Sequence, residues 1–184
     1  FFMGSDADYA TLFSLADVAR RLANPAARLA GPELSAGGID PRGYLDSVVT
    51  RMQPSLRFSD VLTIHWYPGQ GTLTDWISAL AAKSRGQEVW LTETGANTCD
   101  DSEQRSWIDY VLNTFDHGSP TVRWTRTFIY YLWDAETDCA ANIVRMDGTN
   151  RPAFSDYRNR TTKQFSPVRP IGVICVVYGW IVFP

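Results

Sequence analysis

Histidine and cysteine are scarce in this chain, with two and three residues among 184. The histidines, His65 and His117, lie far apart, and no paired Cys/His spacing exists, which argues against a metal centre. A surplus of positive charge is missing too. Seventeen basic against twenty acidic side chains give a net charge of −3 with no basic stripe, so no nucleic-acid partner is expected. A bilayer span needs about 20 apolar residues, and the most apolar stretch, 171–183, is shorter than that, so no membrane partner is expected. Internal repeats, low-complexity segments and a visible secretion signal are also absent. The chain opens on Phe1-Phe2 in place of an initiator methionine, which predicts a cut, processed or incomplete N-terminus.

What is present is the balance of one soluble globular unit, 45% hydrophobic and 20% charged. Aromatics reach 13%, with seven tryptophans. A large aromatic core would account for them. Several sit at strand ends, however, where indole faces also suit the apolar C–H faces of sugar rings.

Helix-period and strand-period segments alternate along the chain. Ser5 with Asp8 reads as a capping box, opening a helix whose apolar side runs through Tyr9, Leu12, Phe13, Ala16, Ala19 and Leu22 until Asn24-Pro25 stops it. A short strand is predicted over 28–34, and Asp40-Pro41 starts a second helix. Strand 61–67, a helix over 74–84, strand 88–93, a helix over 101–115 and strand 127–133 follow. A turn at Asp147-Gly148-Thr149-Asn150 leads to a closing helix near 152–159. Repeated βα units imply parallel strands with helices outside and right-handed crossovers. The fold class is therefore α/β. Four strands are half the count of a closed (β/α)8 barrel, which is typically about 250 residues. The expectation is a partial TIM barrel over residues 1–160 with an apolar tail over 161–184. An isolated half barrel would leave two open sheet edges, which predicts association or poor solubility.

Three strands end in chemically capable residues. Glu88-Val89-Trp90-Leu91-Thr92-Glu93 delivers a carboxylate just before Thr94-Gly95; 61–67 ends in His65-Trp66-Tyr67; 127–133 ends in Trp133, followed by Asp134. Strand ends are where parallel barrels carry catalytic groups. Period-two alternation puts Thr63, His65 and Tyr67 on one face, Val89, Leu91 and Glu93 on one face, and Ile129, Tyr131 and Trp133 on one face. If these sets face the barrel interior, Glu93, His65, Tyr67 and Trp133 converge, while Trp66 packs against helices. The plainer readings are a solvated loop acid or helix cap for Glu93, a satisfied core histidine for His65 and barrel packing for Trp133.

On these residues the chain resembles the second half of a clan A retaining glycoside hydrolase, of the cellulase-like and family 39-like type. The resemblance implies that Glu93 is the nucleophile ending the seventh strand and that His65 and Tyr67 are the His-x-Tyr of the sixth. It also implies that Trp133 lies under the cleaved sugar on the eighth. It covers about 5–159 and implies a carbohydrate substrate and no cofactor. Asp134 and Glu136 could bind sugar hydroxyls or be solvated loop acids. The clan's acid/base glutamate, in an Asn-Glu-Pro-type motif, has no counterpart here and is expected upstream of Phe1, in the missing N-terminal half of the barrel. Glu33 is the only obvious in-chain substitute, although Pro32 and Leu34 read as an ordinary turn into a loop.

Cys99 lies six residues after Glu93, and Cys139 six after Trp133, both expected in loops on one rim. A disulfide between them would imply an extracellular, oxidising setting; two free thiols is the competing reading. Cys175 in the tail is left over. The tail is either a strand-like, aggregation-prone segment or an unnatural extension such as a shifted reading frame. Three functions remain open at this point: a retaining O-glycoside hydrolase acting on a β-linked oligo- or polysaccharide, a non-catalytic carbohydrate-binding remnant, and a truncated inactive fragment.

Overall fold

The computed structural model describes residues 5–32, 34, 35, 41–52, 60–83, 86–118, 122–130, 132, 137, 139–161, 173–176 and 179–182. Its first element is α1 (Asp6–Ala23), nucleated by the expected capping box. Ser5 Oγ accepts from the Asp8 amide at 3.2 Å, and the Asp8 carboxylate accepts from the Ser5 amide at 2.9 Å. Then come β1 (Arg28–Ala30), β2 (Leu34–Ser35), α2 (Pro41–Met52), β3 (Val61–His65), α3 (Leu73–Lys83), β4 (Glu88–Thr94) and α4 (Asp101–His117). The chain continues through β5 (Arg123–Ile129), α5 (Pro152–Thr161), β6 (Val173–Val176) and β7 (Gly179–Val182). No helix among the described residues is long and apolar enough to cross a membrane.

Two strand predictions need correction. The strand expected over 28–34 is broken: Ala30 pairs with Val61, and Leu34 and Ser35 pair with Ile64 and His65, so β1 and β2 run along one neighbour with an interruption between them. Gly31 sits in that interruption with the Phe13 ring against it. A side-chain Cβ there would come within 2.5 Å of the ring, so a larger residue would force the Phe13 ring to move. The last strand begins four residues earlier than expected and ends at Ile129. Its start is fixed by Trp124, buried and edge-on to Phe115 of α4, which extends the apolar pattern back past two arginines that read as loop.

The sheet order is β5-β4-β3-β1-β7-β6, with β2 also on β3. The strands from β1/β2 through β5 are parallel, as predicted from the alternating pattern. The apolar tail is strand-like, as expected. It forms the antiparallel pair β6–β7, and β7 lies antiparallel to β1 through Arg28–Val182 and Ala30–Trp180 pairings.

The two faces of this sheet differ. Leu62, Ile64, Val89, Leu91 and Trp124 face the helices, packing with Tyr9 and Phe13 of α1, Leu73, Trp76, Ile77 and Leu80 of α3, and Val111 of α4. Trp66 joins this layer as predicted, stacked on Trp107 with ring centroids 4.2 Å apart. Such a pair adds about 0.5–1.5 kcal/mol beyond its area burial. The other face carries Ala30, Val61 and Trp90, with the Arg126 guanidinium 5.3 Å from the Trp90 ring and Phe128 beside it. This face leads to the C-terminal strand ends and the site.

Candidate functional site

The register of β4 decides what Glu93 can do. Thr63 pairs with Trp90 and Ile64 with Leu91, but His65 pairs with Glu93, so Thr92 is an extra residue opposite the Ile64–His65 step. The bulge reverses the alternation. Strict period two would place Glu93 beside Val89 and Leu91, which both point into the helix-side core. With one residue inserted, it joins His65 and Tyr67 on the other face. The expected grouping of Val89, Leu91 and Glu93 is thus wrong, although Glu93, His65 and Tyr67 do meet; the fourth member of the expected convergence, Trp133, lies outside the described residues. Thr92 secures the bulge, its hydroxyl donating to the Ile64 carbonyl at 3.0 Å. Beyond the bulge the Trp66 amide donates to the Glu93 carbonyl at 3.0 Å.

Both neighbours bind the same oxygen of Glu93. The Tyr67 hydroxyl donates to Oε2 at 2.8 Å, and His65 Nδ1 lies 3.1 Å from it. Tyr67 is held by a turn in which its amide donates to the Gln70 side chain at 2.8 Å, while the Trp76 indole donates to the Gln70 carbonyl at 3.0 Å. Oε1 of Glu93 makes no hydrogen bond among the described residues. Among the described residues one oxygen is clamped and the other, beside the cleft, is not.

A second carboxylate on the same strand shows what a structural role looks like here. Both oxygens of Glu88, at the opposite end of β4, are spent: Oε1 on Arg28 at 3.2 Å and Arg123 at 3.0 Å, Oε2 on Thr125 at 2.8 Å and Trp90 at 3.3 Å. Burial pushes its acidity down, but the Thr125 hydroxyl, the Arg28 charge and the Trp90 indole outweigh that and hold the carboxyl below its usual pKa. Glu88 is a saturated structural anion. Glu93 is not.

Glu93 opens on a cleft of about 410 Å³, lined also by His65, Tyr67, Pro68, the 95–97 backbone and side chains, Glu103 and Tyr130. That size lies within the usual range for small-molecule sites, about 300–1,000 Å³. The wall after Glu93 is firmly tied down. Gly95 lies so close to Ala141 that a Cβ would approach within 2.5 Å, and Cys99 is disulfide-bonded to Cys139 across 40 residues, as expected from their placement. Arg151, buried to 1% exposure, donates to the Thr98 carbonyl at 3.0 Å and pairs with Asp101 at 2.8 Å. Gln104 donates to the Asn142 carbonyl at 2.6 Å.

Three site residues escaped the sequence reading. Tyr130 lines the cleft edge-on to Tyr67, with ring centroids 6.0 Å apart, whereas Ile129, expected on the site face, packs against α4 and Ile143. A second bulge, at Thr125, shifts β5 as Thr92 shifts β4. Asn97 and Glu103 were also missed, since neither follows a strand directly. One signal was available for Glu93: alternation put a carboxylate on the same face as Val89 and Leu91, a conflict that a bulge resolves. Trp133, Asp134, Glu136 and the substitute acid Glu33 lie outside the described residues. Among the described residues no group of three or more metal-ligating side chains gathers.

The profile of the family described as "Glycosyl hydrolase catalytic core" matches residues 14–157. Among solved structures the chain is similar to a GH128 subgroup II endo-β-1,3-glucanase from Pseudomonas viridiflava, with TM-score 0.64, 16% identity and coverage of 83% of this chain and 62% of that one. A GH128 subgroup VI exo-β-1,3-glucanase from Aureobasidium namibiae aligns with TM-score 0.62 and 16% identity, over 83% of this chain and 61% of that one. A subgroup II endo-β-1,3-glucanase from Sorangium cellulosum gives 0.58 and 18%, over 83% and 62%. At these identities the likeness is one of fold. The chain spans 61–62% of the length of these three structures. No curated protein matches the sequence.

Proposed function

Because the chain belongs to the glycosyl hydrolase catalytic core family, we propose that it carries the nucleophile half of a retaining hydrolase acting on a β-linked glucan. The observation that carries this reading is the asymmetry of Glu93: Oε2 is held by Tyr67 and His65, and Oε1 is unspent beside the cleft. In double displacement, Oε1 attacks the anomeric carbon as the bond to the leaving oxygen breaks, giving a covalent glycosyl ester; water then opens the ester with a second inversion. Attack draws negative charge off the carboxylate. Tyr67 and His65 on Oε2 therefore serve to aim Oε1 at the anomeric carbon. Tyr130 and Tyr67 give the cleft an aromatic side against which a ring's C–H face can lie.

The remaining parts of the reading extend beyond the described residues. A second carboxyl about 5–5.5 Å from the first must protonate the leaving oxygen, and we assign it to a glutamate outside them. The parallel sheet is taken as the fifth to eighth strands of a clan A (β/α)8 barrel, with Trp133 as the sugar platform and Asp134 as a hydroxyl acceptor. The β-1,3-glucanases with the same fold make a β-1,3-glucan the substrate to test first. The disulfide suits an enzyme working outside the cell.

Stereochemistry tests the reaction type without the acid. Dinitrophenolate leaves a β-glucoside without protonation, so the full chain should release it in a burst and then turn over slowly, because the carboxyl that acts as acid also activates water in the second step. Proton NMR should then show the β-anomer of glucose appearing first. An α-anomer in the first spectra would sink the double-displacement reading. The bulge gives a second expectation. T92V keeps the shape of the side chain but loses the tie to Ile64, and a nucleophile out of line by a fraction of an ångström costs about ten-fold or more. Steady-state rates on the same glucoside should show kcat falling more than KM rises, with T92S close to the parent. Equal rates for T92V and the parent would show that the hydroxyl does not position Glu93.

A further inference from the structure

The cleft does not end at Glu93. It continues past Gly95 and Ala96 to Asn97 on the loop after β4 and to Glu103 in the first turn of α4. We propose that Asn97 and Glu103 form a second sugar subsite, hydrogen-bonding hydroxyls of the ring adjacent to the one Glu93 attacks; this rests on the glycosidase reading above.

Three observations support the assignment. The first is unspent capacity. The Asn97 amide has no hydrogen-bond partner among the described residues, and Glu103 uses one oxygen, Oε2, to accept from the Thr98 hydroxyl at 2.6 Å, leaving Oε1 available. An amide that can donate and accept, beside a carboxylate that accepts, matches vicinal sugar hydroxyls, which do both. The second is orientation. The Thr98 hydroxyl that fixes Glu103 also accepts from the Asp100 amide at 3.1 Å, and the Asp100 side chain caps α4 through the Ser102 and Glu103 amides at 2.7 and 3.2 Å. Glu103 therefore projects from a capped helix start rather than from a free strand of loop. The third is rigidity. The loop bearing Asn97 is pinned by the Gly95–Ala141 contact, the Arg151 bond to the Thr98 carbonyl and the Cys99–Cys139 bridge. Polar groups held open toward a cleft by such ties lose little further freedom on binding. Among the described residues no contact uses the second oxygen of Glu103 or the side-chain amide of Asn97.

The test separates ring number. Binding of a β-1,3-linked glucose trisaccharide and of glucose to the full chain is measured by calorimetry for the parent, N97A, E103A and E103Q, with thermal melts confirming that each variant is folded. A hydrogen bond to a charged group contributes about 1.5–3 kcal/mol, so E103A should weaken the trisaccharide roughly ten-fold or more and weaken glucose by a clearly smaller factor. E103Q, whose one amide oxygen keeps the bond from Thr98 while its NH2 replaces the free acceptor with a neutral donor, should fall between. Equal losses for trisaccharide and glucose, or no loss for the trisaccharide, would overturn the subsite. If the parent binds neither sugar, the glycosidase reading falls and the subsite with it; sugar binding with an unaffected E103A removes the subsite alone.

Discussion

E93Q should lose turnover of an activated β-glucoside by on the order of 10⁴-fold or more, the scale expected when a catalytic nucleophile is removed. The substitution separates chemistry from architecture. Glutamine has the shape of glutamate, and its amide oxygen can still accept from the Tyr67 hydroxyl, which now binds Oε2 at 2.8 Å. The side chain is 30% exposed, so the variant should remain folded, which a thermal melt checks. What glutamine cannot do is form the glycosyl ester. The same change at Glu88 makes the opposite forecast, because both oxygens of that residue hold Arg28, Arg123, Thr125 and Trp90. E88Q should lower the melting temperature and leave chemistry at the far end of β4 largely intact. A pair of variants in which E88Q abolished turnover and E93Q spared it would reverse the assignment.

The second large effect is on stability. Replacing Cys99 and Cys139 together by serine opens a link across 40 residues, which in the chain-entropy model releases about 4 kcal/mol of constraint on the unfolded chain. For a domain of this size that corresponds to a fall of roughly 10 °C in the calorimetric midpoint. The folded loops should persist, since Gln104, Arg151 and the Gly95–Ala141 contact join the same segments independently. Turnover of the glucoside at low temperature should therefore survive while the melt moves. A double variant melting with the parent would mean that the bridge contributes nothing. One that melts normally but loses turnover would mean that the bridge shapes the site itself.

How far the sequence could be read depended on whether the signal was local. Ser5 and Asp8 announced α1, because a capping box lies wholly within four residues. The order of parallel strands followed from alternating βα units, and the meeting of Glu93, His65 and Tyr67 followed from strand ends of neighbouring strands. The faces did not follow, because a bulge is a property of two strands in register: Thr92 counts as extra only against the Ile64–His65 step. That is why Val89 and Leu91 were put on the wrong side, and why Ile129 stood in for Tyr130. Asn97 and Glu103 were unreadable for a related reason. They reach the cleft only because the loop is folded back by Arg151, Ala141 and Cys139, contacts with partners more than 35 residues away in sequence.

The claim beneath all of this is that the free oxygen of Glu93 bonds to an anomeric carbon, and covalent trapping reads that event directly. A 2-deoxy-2-fluoro-β-glucosyl fluoride carries a leaving group that needs no protonation, while the fluorine at C2 slows release of the ester, so the intermediate accumulates. Intact-mass spectrometry of the full chain should show one added fluoroglucosyl group, and peptide mapping should place it on Glu93 and nowhere in E93Q. A chain that binds the sugar yet stays unlabelled, or one labelled at another carboxylate, would contradict the account.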